Sequence, residues 1–248
     1  MNLIRRLKSR ALRWAQPFPF QCRHIEYSTI SSLDDQIGVP TERLINASLQ
    51  AITAAKDIDL SGLSTRIQTG SLFLNIWPGE HYKLLAGFMA SQRPRKVIEI
   101  GTFQGHSALA MLSQLPQSSK LITVDIVPWR EIDSSILRES DFSDGRLTQA
   151  IGDLSSKAFF DYFTSELLDC DFLFVDGPKN VIFEQTLLRF METVSLLPQL
   201  LVVFDDIRVW NMLSIWRTIK QPKLDLTSFG HWSGTGIVDW NGRAVPRS

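Results

Sequence analysis

Three aspartates at the ends of two apolar runs carry the first chemical signal in this chain. Residues 171–176, DFLFVD, lead into Asp176-Gly177-Pro178-Lys179, and residues 200–205, LLVVFD, lead into Asp205-Asp206. Both runs have the continuous apolar character of strands buried on both faces. Parallel strands end at one edge of their sheet, so such strands, if adjacent, gather Asp176, Asp205 and Asp206 in a small volume. Clustered carboxylates repel one another and are costly to desolvate. A bound cation relieves both costs. Oxygen-only ligation favours a hard divalent ion, Mg2+ first, with Mn2+ or Ca2+ next. For any single aspartate of the three, a solvated loop acid is the plainer reading.

A second signal lies upstream in residues 96–107, KVIEIGTFQGHS. Val97, Ile98 and Ile100 suit a central parallel strand. Gly101 and Gly105 bracket a tight turn, where glycine allows positive φ and close approach of a ligand. The following helix aims its free N–H groups into that turn. The spacing G-x-x-x-G departs from the dinucleotide fingerprint G-x-G-x-x-G. Glu99 would repel a pyrophosphate and suits a cationic ligand, such as the amino-acid end and sulfonium of S-adenosylmethionine. A strand–turn–helix with no ligand is the alternative. Asp125 ends the apolar run KLITVD, 24 residues beyond Gly101. An acid there accepts hydrogen bonds from the ribose hydroxyls of an adenosine cofactor, although aspartates also serve turns at strand ends.

The pattern E-I-G-T-x-x-G-x-S at 99–107 resembles the first motif of class I methyltransferases, especially the catechol and caffeoyl-CoA O-methyltransferases. In that group the fourth strand ends in an Asp metal ligand with a catalytic Lys three residues later, and the fifth ends in Asp-Asn. This chain has Asp176 and Lys179 at that spacing and Asp205-Asp206 in place of Asp-Asn. The double Asp is similar to the macrolide and sugar O-methyltransferases, and it puts a catechol substrate in doubt. The resemblance covers roughly residues 75–240.

The resemblance implies an α/β fold: a doubly wound, Rossmann-like, seven-stranded, mostly parallel sheet with an N-terminal helical extension. It implies S-adenosylmethionine held by Glu99, Gly101, Thr102, Gly105, Ser107, Asp125, Asp153 and Asp176, and a metal held by Asp176, Asp205 and Asp206. Asp153, after the third strand, either meets the adenine amino group or caps the next helix. Lys179 is a candidate general base, a role that needs its pKa to fall through burial and a nearby cation; an exposed lysine pairing with acids is the alternative. His231, in the loop before the last strand, is a second candidate base, a substrate contact or a plain loop residue. The implied activity is metal-dependent O-methylation of a small molecule: a sugar, phenol or polyketide-type natural product. Two other readings stand beside it. One is a same-fold enzyme that uses metal and cofactor for hydroxylation or rearrangement. The other is a noncatalytic cofactor-binding or membrane-docking module.

The elements that must position these groups follow from the apolar periodicity. An extension or cap over residues 1–70 precedes a domain over 71–248. Thr41 N-caps a helix to about residue 56, with Leu44, Ile45, Leu49 and Ile52 on its apolar face. Residues 57–70 read as loop. Further helices are expected at 79–91, 107–115, 131–139, 156–168, 183–197 and 209–220, with strands at 96–100, 120–125, 146–151, 171–176, 200–205, 224–229 and 236–240. The segment 75–82 is placed near the methionine end of the cofactor. Trp129, Trp210 and Trp232 either line an acceptor pocket or are plain packing.

Lys plus Arg and Asp plus Glu each number 26, so no net field favours nucleic acid. Two distant cysteines, Cys22 and Cys170, point to a reducing compartment, and with it the cytoplasm. No apolar run reaches the length of a membrane span. The start of the chain, MNLIRRLKSRALRWAQPFPF, is basic and amphipathic. Three readings compete for it: packing on the domain or on a second subunit, peripheral contact of residues 1–20 with an anionic membrane, and organellar targeting.

Overall fold

A computed structural model describes residues 38–67, 73–209 and 212–242. The basic stretch 1–20 and Trp210 lie outside the described residues. Seven strands form one sheet: β1 (Lys96–Ile100), β2 (Lys120–Asp125), β3 (Leu147–Ile151), β4 (Phe172–Val175), β5 (Leu201–Asp205), β6 (Lys223–Asp225) and β7 (Thr235–Asp239). Their order is β3-β2-β1-β4-β5-β7-β6. The first five strands pair in parallel, while β7 pairs antiparallel with both β5 and β6. This is the doubly wound, mostly parallel sheet the sequence led us to expect. The strand order reverses between β1 and β4, and such a switch point opens a crevice at the carboxyl ends of the strands.

Alternate residues of each central strand feed two separate cores. Val97, Leu121, Phe172, Phe174 and Val203 point to one face, packed by helices α1 (Glu42–Asp57), α3 (Tyr82–Gln92) and α4 (His106–Gln114). Ile98, Ile100, Leu173, Val175, Val202 and Phe204 point to the other, packed by α5 (Lys157–Leu168), α6 (Ile182–Met191) and α7 (Met212–Thr218). Burial of one such side chain is worth about 1.5–3 kcal/mol. Strands apolar on both sides therefore commit the chain to a covered sheet.

Helix α1 starts as expected. Thr41 Oγ1 accepts from the Leu44 N–H at 3.1 Å. The same hydroxyl donates to Asp239 at 2.7 Å, and Arg43 pairs with that carboxylate, which ties α1 to the end of β7. Gly87 of α3 has no room for a Cβ, which would sit 2.3 Å from the Ala51 carbonyl oxygen, so the backbones of α1 and α3 touch.

Several elements differ from the expectation. Residues 131–139 are not an α-helix. Short 3-10 turns flank them at Trp129–Glu131 and Glu139–Phe142. Between them Ile136 donates its N–H to the Gln104 carbonyl at 3.0 Å, and Ile136 and Leu137 bury against the glycine turn and α4. Asp133, Ser134 and Ser135 favour local turns over helix. Helix α6 stops at Met191, ahead of Thr193, Ser195 and Pro198. Strand β6 stops at Asp225, whose carboxylate takes the Thr227 N–H at 2.9 Å and begins a turn. A short helix α2 (Ser61–Ser64) sits in the expected 57–70 loop, begun by Asp59 accepting from the Ser61 N–H at 2.9 Å. Among the described residues no helix is long and apolar enough to cross a membrane.

Candidate functional site

Adjacent pairing of β1, β4 and β5 brings the expected carboxylates to one edge. Ile100 lies opposite Val175, and Val175 opposite Phe204, so Gly101, Asp176 and Asp205 follow one another across three neighbouring strand ends. Asp176, Asp205 and Asp206 each offer an oxygen within 4.8 Å of the others. Asp206, Lys179 and Val181 all adopt positive φ here, a conformation non-glycine residues rarely take and one that collects at functional sites.

Lys179 sits among these acids. Its ammonium contacts Asp176 and lies 2.9 Å from Asp206 Oδ2. Glu184, in the first turn of α6, holds the loop from beneath by accepting the N–H groups of Lys179 and Val181, each at 2.8 Å. Burial works against the Lys179 ammonium, but Asp176, Asp206 and Asp205 outweigh it and hold the pKa above its ordinary value. The direction is opposite to the fall that a general base requires, because three acids surround the amine. Burial and the neighbouring Asp205 charge push Asp176 up. Asp205 moves the other way: burial opposes its ionisation, but His81 and His231 hold it well below the usual carboxylate range.

Sequence reasoning missed His81. It lies just before α3, is 3% exposed, and places Nδ1 3.3 Å from Asp205 Oδ1. Asp205 outweighs burial and holds the His81 imidazolium above its ordinary pKa. His231 Nδ1 is also 3.3 Å from Asp205 Oδ1 and 3.5 Å from Asp206 Oδ1, with Ser233 Oγ at 2.6 Å. Its pKa is raised to about 10: burial opposes the charge, and the Asp205 and Asp206 carboxylates facing the ring overcome it. Two strand-like hydrogen bonds join the segments that carry the histidines. Gly79 N–H donates to the Gly230 carbonyl at 3.1 Å, and Trp232 N–H to the Gly79 carbonyl at 3.0 Å. A histidine at the start of an expected helix gave no signal of this pairing, which arises only when the β6–β7 loop folds back over residue 79.

The other half of the site runs along β1, β2 and β3. Glu99 is fully buried and accepts hydrogen bonds from Ser107 Oγ and, at 2.6 Å, from Thr123 Oγ1. Burial pushes its pKa up to about 8. Thr102 Oγ1 is 2.7 Å from Thr123 Oγ1 and accepts from Gln149 Nε2 at 3.1 Å, so Gln149 on β3 joins the turn network, another residue sequence reasoning missed. Gly101 and Gly105 both have positive φ, and Gly105 caps α4 beneath Leu137. Asp125 accepts from the Phe103 N–H at 3.0 Å and the Val127 N–H at 3.1 Å. Asp153 accepts from the N–H and hydroxyl of Ser155, at 2.8 and 2.7 Å, while Ser156 takes the N-cap position of α5.

A family model described as O-methyltransferase matches residues 73–211, more than half of the 248-residue chain. The chain belongs to the O-methyltransferase family. The matched span of this O-methyltransferase contains the glycine turn, Asp125, Asp176, Lys179, Asp205 and Asp206, and also His81. Its fold is similar to that of a Geobacter sulfurreducens methyltransferase, with 16% identity over 73% of this chain and 88% of the other, and a TM-score of 0.51. It is also similar to the SAH-bound methyltransferase of Podospora anserina, with 17% identity over 82% of this chain and 97% of the other, and a TM-score of 0.50. No curated protein matches this O-methyltransferase by sequence.

Proposed function

We propose that this O-methyltransferase uses S-adenosylmethionine and a divalent cation, Mg2+ first, to methylate a hydroxyl of a small molecule bearing adjacent hydroxyls, such as a sugar, phenol or polyketide-type product. The observation that carries the reading is the meeting of Asp176, Asp205 and Asp206 within 4.8 Å at the edge that also holds Lys179 and the glycine turn. The residues fit a cation. Asp205 Oδ1 is buried with no hydrogen-bond partner, a costly state that an ion relieves. They also fit a cationic, adenosine-bearing cofactor. Glu99 offers a buried carboxylate beside the turn, and Asp125 keeps lone pairs free at the sheet edge.

S-adenosylmethionine supplies an electrophilic methyl group, and a divalent ion supplies a Lewis acid that acidifies a hydroxyl. Asp176, Asp205 and Asp206 are the residues to hold that ion. Glu99 meets the positive end of the cofactor, with Ser107 and Thr123 aligning its carboxylate. Asp125 accepts from the ribose hydroxyls. Gly101 and Thr102 form the floor of the turn. Lys179 is the first candidate to take the acceptor proton at Nζ, after giving its own to solvent, and His231 is the second. Most of the rate then comes from holding nucleophile and methyl in line.

The test is methyl transfer from labelled S-adenosylmethionine to a panel of sugars and catechols, before and after EDTA. Turnover lost with EDTA and restored by Mg2+ supports the reading. EDTA-insensitive turnover removes the metal from it.

A further inference from the structure

The carboxylate trio already has a cation of its own, the Lys179 ammonium between Asp176 and Asp206. Beside it, His81 and His231 face the same oxygen of Asp205. His81 is fully buried, and neither of its ring nitrogens has a hydrogen-bond partner; Asp205 Oδ1, 3.3 Å from Nδ1, has none either. Buried polar atoms without partners are rare in folded proteins. His231 completes the group. Its ring lies 5.1 Å from that of His81, nearly perpendicular to it, and the ligand atoms of His81, Asp205 and His231 all fall within 4.8 Å.

We propose that His81, Asp205 and His231 form a distinct cation position, sharing Asp205 with the carboxylate trio, that takes a borderline first-row transition ion such as Zn2+. Imidazole nitrogen suits such ions, whereas Mg2+ prefers carboxylate and water oxygen. Two histidines and one carboxylate provide three protein ligands and leave a coordination position open. The surroundings match. Metal-ligating histidines commonly turn their other nitrogen toward a carboxylate, and His231 Nε2 lies 3.6 Å from Glu80 Oε2. The backbone hydrogen bonds between residue 79 and residues 230 and 232 fix the two histidine-bearing segments against each other without an ion. The inference shares one residue with the proposed Mg2+ site but does not depend on Mg2+ binding there.

The experiment is Zn K-edge X-ray absorption on the full chain loaded with one equivalent of Zn2+, with calorimetric titrations of Zn2+ and Mg2+ into the metal-free protein. The expected spectrum has nitrogen and oxygen neighbours at about 2.0 Å, with outer-shell scattering from two imidazoles. His81→Gln should remove one imidazole from the spectrum. It should weaken Zn2+ binding by more than about 100-fold, beyond the cost of losing an outer-shell partner, and leave Mg2+ affinity unchanged. His231→Gln repeats the test if His81→Gln fails to fold, and the spectrum of the unsubstituted protein stands without either variant. An all-oxygen shell overturns the proposal, as does a two-imidazole spectrum that survives in folded His81→Gln. Loss of Mg2+ binding with the Zn2+ spectrum intact would strike the carboxylate site alone.

Discussion

A Cβ on Gly101 would sit 2.2 Å from the carbonyl oxygen of Asp176. The turn after β1 and the acid after β4 therefore share one tight backbone contact, reinforced by the Asp176 N–H donating to the Ile100 carbonyl at 2.9 Å. The proposed cofactor half and the carboxylate half of the site are joined at this point. Gly101 also has φ +103°, which side-chain-bearing residues rarely adopt.

Gly101→Ala should accordingly damage both halves together. Backbone strain of this kind costs about 1–3 kcal/mol, and about 1 kcal/mol lowers Tm by about 2–4 °C at this chain length. Thermal denaturation should show a loss of several degrees, and titration should show weaker binding of both S-adenosylmethionine and Mg2+. Weakening of one ligand alone would mean that the contact does not couple them.

Glu99 sets a pH dependence. Its pKa in the fold is about 8, against 4.5 for an ordinary glutamate, because burial disfavours the carboxylate. The folded state then binds more protons than the unfolded chain between those values, so this group's contribution to stability is present below pH 4.5 and lost as pH rises through about 8. A cationic ligand needs the charged form. S-adenosylmethionine affinity should therefore rise with pH up to about 8, and Glu99→Gln should bind weakly with a flat profile over that range. Calorimetry across pH 6–9 checks both.

Lys179→Met removes the ammonium between Asp176 and Asp206 and, on the proposed mechanism, the proton acceptor. We expect kcat to fall by about 100- to 10,000-fold with S-adenosylmethionine affinity unchanged. A similar fall in cofactor affinity would place Lys179 in binding rather than proton transfer.

Asp125→Ala should do the reverse. It removes the acceptor for the Phe103 and Val127 N–H groups as well as the proposed ribose contact. Hydrogen bonds to a charged group are worth about 1.5–3 kcal/mol, so cofactor affinity should drop about 10- to 100-fold. Mg2+ affinity should hold, as isothermal titration of each ligand would report.

The sheet was legible because its central strands are apolar on both faces and each ends in a polar or glycine residue. The runs ending at Asp125, Asp176 and Asp205 became β2, β4 and β5 nearly residue for residue. The trio of aspartates was legible for the same reason, since strand ends in a parallel sheet share an edge. Residues 131–139 were not: their apolar positions suit a helix, but Ile136 and Leu137 are held by contacts to the glycine turn, just over thirty residues away in sequence. His81 was not legible either. Its role depends on the β6–β7 loop meeting residue 79, a contact across about 150 residues that no local pattern encodes. Glu184 left a weak trace as an acid in the first turn of α6, where a capping role could have been read.

On the proposed function, one edge of this O-methyltransferase binds S-adenosylmethionine and a divalent cation side by side. Calorimetric titration of the EDTA-treated protein with S-adenosylmethionine, and then with Mg2+, tests it most directly. One binding event is expected for each, with Asp205→Ala abolishing the second and sparing the first. Failure to bind S-adenosylmethionine would contradict the reading of Glu99, Gly101 and Asp125, and S-adenosylmethionine binding with no response to Mg2+ would contradict the reading of the three aspartates.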